Sequence, residues 1–217
     1  MKTALLIGAT GFIGSHLLTE LLNNNNYSEV TIIVRKNSSL THPKLKILIG
    51  DFKTFAAMIE NSPFDEIFLT LGTTKKNTPK QDEYYEIDHD YPVLAAQIAK
   101  QSGARSVFIV TAIGANVNSK LFYPRMKGEV ARDIIAIDFQ HTHIFEPSMI
   151  TGKRPESRII EKIFIPLFKL FNPLLAGSLT KYRGIDGKNI AKAMHNAAQQ
   201  PSEKLKIYRW KEMMELL

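Results

Sequence analysis

Residues Ala4-Leu5-Leu6-Ile7 run directly into Gly8-Ala9-Thr10-Gly11-Phe12-Ile13-Gly14. An apolar strand thus breaks into glycine at every third position and resumes with helical periodicity. Gly8 suits the tight turn out of the strand, Gly11 lets the backbone approach an anion, and Gly14 lets the helix lie close to the sheet. The first-turn amides, with the positive end of the helix dipole, then face a pyrophosphate. Thr10, Phe12 and Ile13 complete this candidate binding loop. The competing reading of such spacing is a glycine-rich turn with no ligand; the placement between strand and helix favours the phosphate cradle.

Strand-like and helix-like patterns alternate along the chain, which predicts an α/β fold of Rossmann type, a doubly wound parallel sheet. The expected strands are Ala4–Ile7, Val30–Val34, Leu45–Ile49, Ile67–Leu71, Val107–Val110 and Thr142–Phe145, with Leu205–Tyr208 as an edge strand. Their nearly continuous apolar character suits burial on both faces. Helices are expected at Phe12–Leu22, Phe55–Ile59, Pro92–Lys100, Phe122–Ile137 and Asn189–Gln199, with Asp90 as an N-cap and Gly103 as a terminating glycine. Beyond residue 147 the alternation loosens. The segment Ile159–Leu175, interrupted by Pro166 and Pro173, predicts two short amphipathic helices. The expectation is one domain over 1–217, with 148–183 forming a small helical cap over the substrate.

The 217 residues can bury a core without staples, and the chain contains no cysteine, hence no disulfide, thiolate nucleophile or thiolate-bound zinc. Met1-Lys2-Thr3 enters the first strand directly, and no run reaches the length of an apolar membrane span, so a cytoplasmic protein is expected. Residues 1–150 hold fifteen basic and fifteen acidic side chains, whereas 151–217 hold thirteen and six, so the net charge of +7 lies in the last third. Solvated helix faces account for this most simply; an acidic partner or an anionic membrane surface is the alternative. A homodimer contact through 159–175 is also open. The interleaved aromatics and arginines of a nucleic-acid module are missing.

Three clusters point to chemistry. Arg35-Lys36 follows the second strand, where a site selective for the unphosphorylated cofactor would place a carboxylate on the adenosine ribose; this predicts NADP(H) over NAD(H). Asp51-Phe52 after the third strand and Leu71-Gly72-Thr73 after the fourth are placed to border the same cofactor. Tyr123 and Lys127 stand four residues apart on one helix face, with Thr111 ending the strand before them. A phenol needs a nearby cation to exchange protons near neutrality, which Lys127 supplies while reaching the nicotinamide ribose. Thr111 would hold a substrate carbonyl, and Tyr123 would protonate it as hydride is transferred. Asp88 is a further candidate for reaching the cofactor from a loop.

Together with Leu71-Gly72-Thr73-Thr74, Ile87-Asp88-His89-Asp90-Tyr91, Gly114-Ala115-Asn116, Tyr123-Pro124-Arg125-Met126-Lys127-Gly128-Glu129 and Glu156-Ser157-Arg158, these motifs resemble the short-chain dehydrogenase/reductase superfamily. The resemblance is to its atypical branch, typified by the Tat-interacting oxidoreductase-like tumour suppressor and bacterial relatives. It implies an NADPH-binding Rossmann domain with a C-terminal cap and a loosely defined substrate. Two positions depart from that pattern: Thr111-Ala112 replaces a serine pair, and Glu146-Pro147 replaces arginine-proline, with Pro147 kept as a cofactor contact. Glu146 is expected near the nicotinamide or in solvent. The leading function is carbonyl reduction of a small or lipid-like molecule. The alternatives are a cofactor-binding regulator with little catalysis, and nucleotide-sugar epimerase or dehydratase chemistry. His141 and His143 alternate on a strand without an evident third ligand, and His16 and His89 read as packing or capping residues, so no metal site is expected.

Overall fold

In the computed structural model, residues 1–36, 39–51, 54–60, 62–152, 175, 177–201 and 203–217 are described. The elements in chain order are β1 (Lys2–Ile7), α1 (Phe12–Asn23), β2 (Tyr27–Val34), β3 (Leu45–Ile49), α2 (Phe55–Ile59), β4 (Glu66–Leu69) and α3 (Gln81–Tyr85). A π turn (Glu86–Asp90) then leads into α4 (Tyr91–Gln101), β5 (Ser106–Val110), α5 (Phe122–Ala136) and β6 (His141–Phe145). The chain finishes with β7 (Ile150–Thr151), a 3-10 turn (Gly177–Tyr182), β8 (Ile185–Asp186), α6 (Gly187–Ala197), β9 (Leu205–Tyr208) and α7 (Trp210–Glu215).

Seven strands form one parallel sheet in the order β3-β2-β1-β4-β5-β6-β9, and β7 pairs with β8 separately. Alternation within each strand sorts side chains to two faces. Ala4 and Leu6 join Leu17 and Leu21 of α1 and Ile190 and Met194 of α6 on one side. Leu5 and Ile7 join Phe55 of α2, Ala95 and Ala99 of α4 and Val130 and Ile134 of α5 on the other. The expected doubly wound Rossmann-type fold with C-terminal helices is therefore present. The cap proposed over 148–183 falls largely on 153–174, outside the described residues, as do Phe52 and the segment Glu156-Ser157-Arg158.

Strand order reverses between β1 and β4, which opens a crevice at the carboxyl ends of the strands. Gly8, Arg35, Gly50, Thr70 and Thr111 each stand just past a strand end there. Gly103 terminates α4 with φ +101°; its N–H meets the Lys100 carbonyl, and the Ala104 N–H meets that of Ala99.

Asp90 is not an N-cap. It is helical (φ −64°, ψ −45°) and makes no side-chain cap, because the helix runs on from Gln81. Continuity is kept by the π turn, in which the Tyr91 N–H reaches back five residues to the Glu86 carbonyl. Pro92, which has no N–H to give, sits in the first turn after this change of register.

Candidate functional site

The Gly8 loop is tight because its glycines have no room for side chains. Gly8 has φ +90°, and a Cβ there would lie 2.8 Å from the Thr70 carbonyl carbon. A Cβ on Gly14 would lie 2.1 Å from the Gly8 oxygen, so the first turn of α1 packs onto the loop as closely as backbone allows. The Gly11 N–H donates to the Gly8 carbonyl at 2.9 Å. Gly11 is the N-cap of α1 and no side chain caps the helix, leaving its dipole end directed at the crevice. The first-turn residue Ile13 is buried in the core, and the Phe12 ring packs where Gly152 and Gly187 leave space, a Cβ on Gly187 falling 2.4 Å from it. The loop thus fits a dinucleotide pyrophosphate: a cradle that a Cβ would fill, at an uncapped helix start.

A cleft of about 530 Å³ adjoins this loop. It brings together Gly8, Thr10, Gly11, Arg35, Asp51 and the Leu71–Thr73 segment from the expected set. Phe12, Ile13, Gly14, Thr111, Tyr123, Lys127 and Pro147 lie outside its lining. Residues outside the expected set also line it, among them Glu83, Glu86 and Tyr91. These three arrive on α3, the π turn and α4, a charged stretch in which Asp88 was the residue expected to reach the cofactor. The Tyr91 hydroxyl is pushed up to about 12, by burial first, then by its hydrogen bond to Glu86 and by the Glu86 and Asp51 charges.

The second cluster lies at the ends of β5 and β6. Thr111 is buried, and its hydroxyl donates to the Phe145 carbonyl at 3.4 Å. Pro147 is buried and accepts the Ile113 N–H at 3.0 Å. Tyr123 is 42% exposed at the start of α5, with Lys127 Nζ 6.0 Å from its ring centre. Lys127 is buried, and its ammonium is bonded to Asp88 Oδ1 at 2.8 Å, while Asp88 Oδ2 accepts the Thr73 N–H at 2.7 Å. Asp88 thereby links the cofactor-side loop after β4 to the lysine of α5. Glu146 is buried rather than in solvent, and it is bonded to Arg209 Nε at 2.9 Å.

The histidines make packing and hydrogen-bond contacts. His143 is buried between the Phe108 and Tyr208 rings with its Nδ1 2.9 Å from the Tyr208 hydroxyl. His89 bridges Asp90 and Asp133, and His16 sits edge-on to Phe12. Among the described residues no three histidine or carboxylate side chains gather as metal ligands.

The sequence matches the NAD(P)H-binding family over residues 8–151. It is 32% identical over 205 residues to the mitochondrial protein FMP52 of Candida glabrata, spanning 94% of this chain and 88% of that protein. The fold is that of Bordetella bronchiseptica WbmH in complex with NAD+, with a TM-score of 0.70 and 16% identity over 96% of this chain and 75% of WbmH. It is also that of MoeE5 in complex with UDP-glucose and NAD, with a TM-score of 0.66 and 15% identity over 98% of this chain and 80% of MoeE5.

Two expectations are corrected by these findings. NADP(H) was expected from Arg35, but MoeE5, WbmH and WbmG, which share the fold, hold NAD. The physical reason lies in the cleft, where Arg35 is an exposed cation sharing the lining with Asp51, Glu83 and Glu86. Glu83 is paired with Lys80 at 2.9 Å, which leaves Asp51 and Glu86 against the guanidinium to oppose a nearly dianionic 2′-phosphate. The cytoplasmic location was expected from the first residues and the lack of a membrane-length apolar run, and it is overturned by relatives that are mitochondrial proteins of several fungi.

Proposed function

Because the chain belongs to the NAD(P)H-binding family and to the family of the FMP52 proteins, we propose that it is an NAD(H)-dependent enzyme of short-chain oxidoreductase type acting on a small carbonyl or alcohol compound. The observation that carries the reading is the placement of Tyr123 and Lys127 on one face of α5, at the same carboxyl edge of the sheet as the glycine cradle. The bound dinucleotide would supply or accept the hydride. Gly8, Gly11 and the start of α1 hold its pyrophosphate, and the Leu71–Thr73 segment borders it. Thr111, at the end of β5, orients the substrate oxygen, and the exposed Tyr123 hydroxyl moves the proton to or from it. The Leu71–Thr74 and Lys127–Glu129 segments support the closer kinship with the atypical branch.

A second reading is epimerase-type chemistry, in which hydride is taken from a sugar and returned to it. The fold likeness to UDP-glucose 4-epimerase of Thermotoga maritima favours it, with a TM-score of 0.69 over 95% of this chain and 76% of that enzyme at 11% identity. A mitochondrial setting follows from the fungal relatives as part of this proposal.

Calorimetric titration with NADH, together with consumption of NADH absorbance across a panel of small aldehydes and ketones, tests the reading. Tyr123→Phe is expected to keep NADH affinity within about two-fold while lowering turnover at least about 100-fold. Turnover that survives this substitution on a true substrate removes Tyr123 from the chemistry. Sugar conversion without net NADH change selects the epimerase reading.

A further inference from the structure

Strands β7 and β8 are two residues each, too short to hold together by their own hydrogen bonds. Beyond the anchorage of Ile185 in the core, neighbouring side chains keep them in place. Trp210 at the start of α7 donates to the Gly184 carbonyl at 3.2 Å, and Ser148 Oγ donates to the Tyr182 carbonyl at 3.0 Å. A further contact is the Phe12 ring, which arrives from the glycine loop. A Cβ would lie 2.5 Å from that ring on Gly152, just after β7, and 2.4 Å from it on Gly187, just after β8. Gly152 also has φ +126°, a conformation other residues adopt only under strain. Two glycines from separate segments thus leave one socket, and a ring from the cofactor loop occupies it.

Phe12 is also the first residue of α1, and the helix start has no side-chain cap. An uncapped first turn opens readily, and an anion bound to its N–H groups takes the place of the missing cap. The chain that enters β7 runs beside the residue placed at the substrate: the Ile113 N–H, two positions past Thr111, donates to the Pro147 carbonyl at 3.0 Å. Resting on the functional reading above, we propose that Phe12 is a positioning residue whose ring joins the dinucleotide cradle to the β7–β8 pair, so that filling the cradle firms the segment beside Thr111. The ring acts through packing alone. A dinucleotide that fixes the first turn of α1 fixes the ring with it, and the ring in turn holds Gly152 and Gly187 together.

Hydrogen exchange of the full chain, read by mass spectrometry with and without saturating NAD+, tests this. In the wild type the amides of 149–152 and 184–188 are expected to exchange at least about five-fold more slowly with NAD+, and those of β9 to change less than about two-fold. Phe12→Ala removes the ring, and Gly187→Ala fills its socket while leaving the loop intact. In each variant, saturated with NAD+, the slowing at both segments is expected to fall below about two-fold. The reading is the ratio with and without NAD+, because a ring that only stabilises the fold would speed exchange in both states alike. Three results overturn the proposal: a wild type that binds NAD+ without slowing at these segments, slowing that is equal in β9, or a saturated variant that keeps the wild-type ratio. Should Phe12→Ala fail to fold, Gly187→Ala decides alone, since only the ring has to give way there. Failure of NAD+ to bind the wild type would instead defeat the functional reading on which the proposal stands.

Discussion

Arg35 and Glu86 bring opposite charges to one cleft. Arg35 follows directly after β2, so its place at the edge of the cleft can be read from the chain. Glu86 enters from a π turn far along the sequence, and only the folded molecule brings it to the same cleft. The expectation of NADP(H) failed for that reason: Arg35 and Asp51 could be placed from the chain, and Glu86 could not. Glu86→Gln is expected to tighten NADPH binding about two- to five-fold at low salt and leave NADH nearly unchanged, the range set by an exposed charge. Calorimetry with both cofactors at two salt concentrations checks this. An effect equal for NADH and NADPH would show that Glu86 does not sense the 2′-phosphate.

Strands with apolar runs were legible within two residues except at the start of β2, which lies three residues early, and the bounds of β3 and β9 match the expectation. The segment 81–90 was not, because charged residues hide the amphipathic face of α3 and no local signal marks a π turn. Its neighbour α5 was legible, but the support beneath it was not. A Cβ on Gly128 would lie 2.4 Å from the Val117 nitrogen and 2.5 Å from the Asn116 carbonyl carbon. Those are backbone atoms, so the 116–117 loop rests directly on the helix that carries Tyr123. Gly128→Ala is expected to cost about 1–3 kcal/mol in denaturant unfolding and to impair turnover more than NADH binding. Normal stability in that variant would mean that the loop yields freely.

Across the whole molecule, alternation of strand and helix made the doubly wound sheet readable, whereas the buried polar contacts that lock its far edge were not. His143 is neutral between Phe108 and Tyr208, burial pushing its imidazole down to about 3, with the His141, Lys206 and Lys2 charges adding to the effect. Its folded value lies below the unfolded value near 6.5, so the unfolded chain takes up the proton first as pH falls. The stabilisation is full above about pH 6.5 and declines toward pH 3, by about 2 kcal/mol between pH 6.5 and 5. His143→Phe is expected to flatten that part of the pH–stability curve, measured by urea unfolding. A slope as steep as in the wild type would assign the acid sensitivity to other groups.

The strand order has a consequence for how this chain can be made. Taken from the amino end, β2 pairs with β1, β3 with β2, β4 with the opposite side of β1, and then β5, β6 and β9 each with the strand before it in the sheet. Every new strand therefore meets an edge that already exists, and none has to wedge between two earlier partners. A chain leaving the ribosome can lay down its sheet from the centre outward in the order of translation, and the glycine cradle belongs to the first part to be completed.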